Sequence, residues 1–533
     1  MRSDRSVRRD MDTVNSISKK KTLNERNLLR IVFGILLLFL TVCVVNPRFQ
    51  NDTYYIIKLG EQVLDSGIDL ADHWAWSAQL INTYPHFLFN LILAVLYRTA
   101  GLAGIYVFEL IVVYIFALSL YFITEKVYDK VAGKTDTTLY PVVGLIVSAI
   151  VLLTFSTFMA ARPQMLTYPL WLWEAWFILC LLNTGKKRCA VAVVVIAWLC
   201  AMIHATAWYF TFVLFVPFFA AVYMTKLVSF LSAKGIKIES FLMIDRLIPA
   251  NETECRNVKK LWIILPVSYA TGLLTPTRLC YTSIFKASSG STVKYITEHK
   301  PLVLANAKYV LIGVILFVVL LAFFKLKCRL DLLLLFGGTM YMALNSNRHV
   351  GLLVYLGWFA LFYLIFGALV MIPVKFREGI RKTVIPALAI LVPAVLGLAN
   401  NRVQRFSFYD SEFVCDEAID YLKENYDVQE LRLFNDYSAG AYLLFRDVPV
   451  FIDSRVNEYT KEFDPTLERN VFDDYMSVIS LREDWREIVE YYDFDGYLIA
   501  RDGVLNEMLS VSPDVEKVWE DDNMVIYMTV RDE

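Results

Sequence analysis

Residues 31–45 and 309–324 contain no charged side chain. Similar apolar stretches recur along the chain, near 28–46, 105–124, 138–158, 166–182, 189–203, 206–225, 261–273, 309–324, 330–345, 351–372 and 383–399. A hydrocarbon core ~30 Å thick needs ~20 apolar residues of helix to cross it. The spacing therefore predicts eleven transmembrane helices. Hydrophobic residues make up 57% of the 533, against ~45–50% in soluble domains. An ordinary soluble enzyme, a disordered chain and a fibrous protein are excluded.

The net charge of −1 conceals a division. Residues 1–399 carry 39 Lys and Arg against 21 Asp and Glu, whereas residues 400–533 carry 13 against 32. The predicted architecture is an all-α polytopic membrane bundle with a C-terminal extracytoplasmic α/β domain. A basic cytoplasmic tail over 1–27 precedes the membrane body over 28–399, and the acidic domain fills 400–533. Phosphate repels so acidic a domain, so nucleic acid is not an expected partner. The eight Cys are scattered without a C-x-x-C pair, which fits small core residues and neither zinc ligands nor a disulfide framework.

Basic residues in loops set orientation. With eleven crossings and a cytoplasmic N-terminus, the inner segments hold 29 Lys and Arg and the outer ones 10. If 85–98 also crossed, the numbers would become 17 and 22. That segment is therefore expected to embed in the outer leaflet or pack on the bundle. All five His then fall on the outer side, with Asp52, Asp72, Arg162, Arg278 and Arg348. Such a gathering suits chemistry at the outer boundary, although five residues could also sort there by chance.

The long loop 46–104 opens on Asp52, beside the end of the first span. A carboxylate at that depth can act as general base or hold a divalent cation, Mg or Mn. Asp is also a favoured helix N-cap, which is the alternative role for Asp52. Arg162 stands in a short turn before Pro163 and offers a two-pronged fork to phosphate or to lipid headgroups. His204 beside Trp208 could position a sugar hydroxyl or be structural. Arg348 begins a span from the outer side, as a phosphate contact or an interfacial anchor. Glu109 and Glu174 fall inside predicted spans, where carboxylates are costly. Segment 274–308 is a candidate lid. In the tail, 431–434, 448–452, 497–499, 515–520 and 524–530 read as strands between helices, the last two as a hairpin. Neither nucleotide-binding glycine pattern is present. Asn435, Asp436, Asp453 and Arg455 follow strand ends, as turn formers or as ligand contacts.

These motifs, Asp52-Thr53-Tyr54-Tyr55, Asp72-His73-Trp74-Ala75-Trp76, Ala161-Arg162-Pro163-Gln164, Leu274-Thr275-Pro276-Thr277-Arg278, Asn345-Ser346-Asn347-Arg348, Asn435-Asp436-Tyr437 and Asp453-Ser454-Arg455, occur in an order that resembles the GT-C superfamily. More narrowly, the chain resembles bacterial GT-C-like membrane proteins of undefined substrate. The resemblance implies a glycosyltransferase of the bacterial plasma membrane, active in envelope glycan assembly. Its donor would be a polyprenyl-phosphate-linked sugar and its acceptor a glycan, lipid or protein, with membrane lipids around it. Asp52 would be base or metal ligand. Arg162, Gln164, His73, His86, His204, Arg348 and Arg278 would be the substrate contacts. A flippase for lipid-linked glycans would instead need internal repeats, and none is found. A non-catalytic assembly protein of the same fold is the other alternative.

Overall fold

The computed structural model describes residues 27–45, 48–132, 139–156, 159–235, 246–282, 295–303, 305, 307–404 and 414–531. The basic tail up to residue 26 and the serine-rich part of the candidate lid, 288–292, lie outside them. The chain is mostly helical, and its apolar helices make it a multi-pass membrane protein. Eleven crossings are more than helix length and hydropathy establish. Five described segments suffice to cross: α1 (Asn27–Val44), α3 (Phe87–Ala132), α5 (Gln164–Thr184), the stretch Ala205–Ala233 that contains α7 (Phe215–Ala233), and Asn347–Met371. Three apolar helices are shorter: Pro141–Phe155 within α4 (Tyr140–Phe155), Lys308–Phe323 and α10 (Leu330–Asn345). Between them stand α6 (Lys187–Ile203), α8 (Glu252–Ala270) and α9 (Lys308–Val318).

Segment 85–98 is expected to embed in the outer leaflet or pack on the bundle. It is the first part of α3, which bends at Gly101 (φ 60°), where a residue with a Cβ would be strained. This part packs on α2 (Asn51–Ser66), the helix that opens loop 46–104. The approach is close because Gly60 has no side chain: a Cβ there would stand 2.1 Å from the Asn90 carbonyl oxygen.

Polar groups divide the bundle into two ends. One end is tied by Arg30–Glu125 at 2.6 Å and by Arg329, which bridges Glu254 at 2.9 Å and Asp331 at 2.7 Å. The other end carries loop 46–104, the turns at 159–163, 204–209 and 346–349, and the C-terminal domain. After a short parallel pair in the membrane body, β1 (Leu247–Ile248) and β2 (Cys328–Arg329), that domain has a four-stranded mixed sheet in the order β3-β4-β6-β5, formed by β3 (Leu433–Asn435), β4 (Gly496–Ala500), β5 (Val515–Glu520) and β6 (Met524–Thr529). β3 and β4 are parallel, and β5–β6 is the expected hairpin. Segment 448–452 is not a strand. Its Val450 forms a single parallel bridge to Ala75 of the loop instead.

The loop is built into this domain. The Trp76 ring stands 5.5 Å from Phe451 and 5.9 Å from Phe494, and its Nε1 donates to the Leu433 carbonyl. Arg455, 6% exposed, reaches Asp72 and Asn82 of the loop and Asp453 of its own turn. Asn435 ties the Phe451 and Ile452 backbones. Asn435 at the end of β3 and the turn residues Asp453 and Arg455 thus fasten the fold.

Candidate active site

Three turns and one helix start converge at the end of the bundle that carries the domain. Helix α2 begins with Gln50 at its cap and Asp52 in its first turn, so Asp52 is not the cap. Its negative charge suits the helix N-terminus nonetheless. Thr53 Oγ1 donates to the Ala161 carbonyl at 3.1 Å, which ties α2 to the turn that carries Arg162. The Asp52 carboxylate meets Arg162 at 2.7 Å, and the other prong of Arg162 meets Glu298 at 3.2 Å. Glu298 is fixed to the next turn: Ser346 Oγ donates to its carbonyl, and the Asn347 amide donates to Lys300. Arg348 follows directly. Among the described residues its side chain has no hydrogen-bond or ion-pair partner.

Between these groups lies a cavity of about 240 Å³, bordered by Gln50, Arg162, Gln164, His204, Glu298 and Arg348. Trp171, Phe210 and Leu352 form part of its wall and also line a second, apolar cavity of about 300 Å³ between α7 and α10. A π turn at Leu353–Gly357 follows the Arg348 turn, a deviation that often marks functional positions.

Burial works against the charge on Arg162, but Asp52 and Glu298 more than offset it and hold the guanidinium protonated. Burial and then the Arg162 charge push His86 down to about 3. Burial, followed by His86 and Arg348, lowers His204 well below its ordinary value. Both rings are therefore neutral. They meet edge to face at 5.3 Å, and Tyr55 OH lies 3.3 Å from His86 Nδ1. The C-terminal domain contributes Tyr437, whose carbonyl accepts from Asn51 at 3.0 Å. Burial and the Asp52 charge raise the Tyr437 phenol above its usual range.

No family model matches the chain, and no curated protein matches it in sequence. The oligosaccharyltransferase of Archaeoglobus fulgidus in its apo form superposes on 89% of this chain and 69% of its own, with a TM-score of 0.55 at 11% identity. The chain shares the fold of that enzyme. The same archaeal enzyme tethered with an acceptor peptide gives 0.53 over 88% of this chain and 69% of its own, also at 11% identity. ArnT from Cupriavidus metallidurans bound to undecaprenyl phosphate covers 95% of this chain and 98% of its own at 11% identity, with a TM-score of 0.46.

Within this fold the expected site residues separate. Asp52, Arg162, Gln164, His204 and Arg348 come together, and His86 stands behind them against Tyr55. His73 does not join them: it is exposed and bound to Asp69 at 2.9 Å. Arg278 is exposed too, at φ 51°, away from the cavity wall. Membrane-side assignment gives depth and not lateral position, so it could not separate these two from the rest. Glu298, within segment 274–308, was not singled out from sequence, and neither was Trp171. Glu109 and Glu174 are fully buried, with no hydrogen-bond partner among the described residues. Asp52 and Glu298 share one guanidinium, and the described residues hold no group of three or more His, Cys, Asp or Glu side chains placed to hold a metal ion.

Proposed function

We propose that this protein is a membrane glycosyltransferase that moves a sugar from a polyprenyl-phosphate carrier to an extracytoplasmic acceptor, with inversion at the anomeric carbon. The observation that carries the reading is the Asp52–Arg162 pair at 2.7 Å, beside a polar cavity that shares its wall with an apolar one. The GT-C fold supports it. An amphiphilic donor needs such a double compartment, with cations at its phosphate and hydrocarbon walls at its tail. Arg348, without a hydrogen-bond or ion-pair partner among the described residues, is the phosphate contact, and Arg162 assists it.

In the transfer step an acceptor hydroxyl oxygen bonds to the anomeric carbon. The bond from that carbon to the phosphate oxygen breaks, and polyprenyl phosphate leaves with its electron pair. The hydroxyl proton passes to the Asp52 carboxylate. The leaving phosphate needs cationic neutralisation more than protonation, because its charge grows in the transition state. Arg162, paired with Asp52 in the resting state, is at hand for that charge. Cell-envelope glycan assembly in a bacterial plasma membrane, with this end of the bundle facing outward, is the setting we infer.

Asp52→Asn keeps the shape and removes the base. Purified protein should fold normally and turn over ~100-fold more slowly or worse, the usual worth of acid–base catalysis. Wild-type transfer by that variant would remove Asp52 from the mechanism. A folded wild-type protein that transfers no sugar from any polyprenyl-phosphate donor would favour the assembly-protein alternative.

A further inference from the structure

At the joint between loop 46–104 and the C-terminal domain, three carboxylates surround one buried guanidinium: Asp72 from the loop, and Asp453 and Glu458 from the same segment as Arg455. Hydrogen bonds tell the three apart. Asp453 accepts from the Arg455 amide at 2.8 Å, from its Nε at 3.0 Å and Nη2 at 2.6 Å, and from Tyr459 OH at 2.7 Å. Asp72 accepts from Arg455 Nη1 and from the Trp74 and Ala75 amides at 3.2 and 2.7 Å. Every oxygen of these two is paired. Glu458 differs. Its Oε1 accepts from the Thr83 amide at 3.3 Å and from Thr83 Oγ1 at 2.7 Å. Its Oε2 is buried without a hydrogen-bond partner among the described residues, and stands 3.7 Å from Arg455 Nη1. No bond is available there, because both Nη1 hydrogens already go to Asp72 and Asn82.

Charge does not balance either. Three ionised carboxylates against one guanidinium would leave two negative charges in excess. Burial, an unpaired oxygen and like-charged neighbours all disfavour a carboxylate's charged form. Glu458 meets all three conditions. Burial raises its carboxyl to about 7, against the pull of Arg455 and Thr83 and with a further push from Asp453 and Asp72. The groups packed around it hold their own states. Burial works against the charge on Arg455, but Asp453 and Asp72 outweigh it. Tyr55 of α2, Tyr84 of the loop and Tyr459 have phenols that burial raises, so they stay neutral.

We propose that Glu458 makes this joint a pH-sensitive latch: protonated, it lets loop and domain close on Arg455; ionised, it adds a third buried negative charge and loosens them. The latch goes beyond the transfer reaction and does not depend on it. A carboxyl raised in the closed joint above its ordinary 4.5 gives the closed form the extra proton. The advantage of closure therefore shrinks as pH rises from ~4.5 to ~7 and is constant above. Helix α2 carries Asp52 at its start and runs into the latched loop at its end, so the state of the latch reaches the candidate active site.

Hydrogen exchange on the full chain in lipid nanodiscs tests the latch. Two amides cross the joint: Trp76 donates to the Val450 carbonyl at 3.1 Å, and Val450 to the Trp74 carbonyl at 2.9 Å. After correction for intrinsic rates, their protection should fall ~tenfold or more from pH 5.5 to 8, since one proton shifts an opening constant by up to about tenfold per pH unit. Glu458→Gln stays uncharged and keeps an acceptor for Thr83, so its protection should change less than ~threefold over that range. His73 of the loop is present in both proteins, so the difference between them belongs to Glu458. Thr83→Val removes a donor to the carboxylate and should move the transition to higher pH; it keeps the test decisive if Glu458→Gln fails to fold. The latch is overturned if wild-type protection stays flat or rises from pH 5.5 to 8, if Glu458→Gln keeps the wild-type fall, or if Thr83→Val leaves the transition in place or lowers it. A chain that transfers no sugar yet shows the expected profile sinks the glycosyltransferase reading and supports the latch.

Discussion

Arg162 carries two carboxylates on one guanidinium, and that sharing decides how its variants behave. Arg162→Lys keeps the charge but cannot hold Asp52 and Glu298 with separate prongs. Donor binding should weaken about tenfold, read as a higher KM, while the purified protein keeps its melting temperature within a few degrees. Arg348→Ala removes a cation that pairs with no other side chain among the described residues. It should raise KM for the lipid donor by at least as much, with no loss of expression. His86 gives a prediction about pH. Its folded pKa of about 3 lies below the ~6.5 of the unfolded chain, so the unfolded state binds the extra proton as pH falls. Stability is thus lost between pH ~6.5 and 3, by up to about 1.4 kcal/mol per pH unit for this group. His86→Gln should flatten that part of the profile of melting temperature against pH. Asp52 and Arg162 were legible because each stands at a span boundary with a chemically telling neighbour, a helix start or Pro163. Glu298 was not, because what marks it is a contact with a residue 136 positions away.

At the scale of elements, loop 46–104 and the C-terminal domain are held by an aromatic wedge and a buried ion cluster. Trp76 lies against Phe451, Tyr492 and Phe494 and is held by the Leu433 carbonyl. Truncating a packed Trp costs ~3–5 kcal/mol. Trp76→Ala should therefore loosen the loop from the domain and expose 67–84 to limited proteolysis. Transfer activity should fall even though Trp76 lies outside the cavity wall, because α2 carries both the loop and Asp52. The helices over 416–425, 471–479, 485–492 and 504–509 and the β5–β6 hairpin were legible from local periodicity. Segment 448–452 was misread as a strand because its apolar residues are buried without a ladder: Val450 pairs only with Ala75, and its neighbours pack into the aromatic core. Helix Tyr437–Phe445 escaped notice because its face against α2 is small and aromatic, without amphipathic contrast.

For the whole molecule, charge bias predicts that the end carrying the domain faces away from the cytoplasm. All eight native cysteines are buried or half-buried, so one exposed cysteine can report the side. Val511 is 82% exposed on the C-terminal domain. In intact cells, Val511→Cys should react with a membrane-impermeant maleimide added outside. Reaction only after permeabilisation would invert the topology and place the cavity on the cytoplasmic side. The membrane class, the two-part division and the GT-C likeness were legible in composition and motif order. The number of crossings was not, because apolar helices of 16 or 17 residues, such as α4, α6 and α10, fall short of the length that would settle them one by one.

The joint between Asp72 and Arg455 also sets a clock. The two residues are 383 positions apart, and the pair cannot form until the later one has been synthesised and has reached the same compartment. At ~5–20 residues per second a ribosome needs roughly 20–80 s to cover that distance. Through that interval the nascent chain holds Asp52 in an unfastened loop beside Arg162, with no Tyr437 to close the site. A chain stalled or cut short before residue 455 would sit in the bilayer with most of its helices and no competent centre. Activity should therefore appear only when synthesis is almost finished.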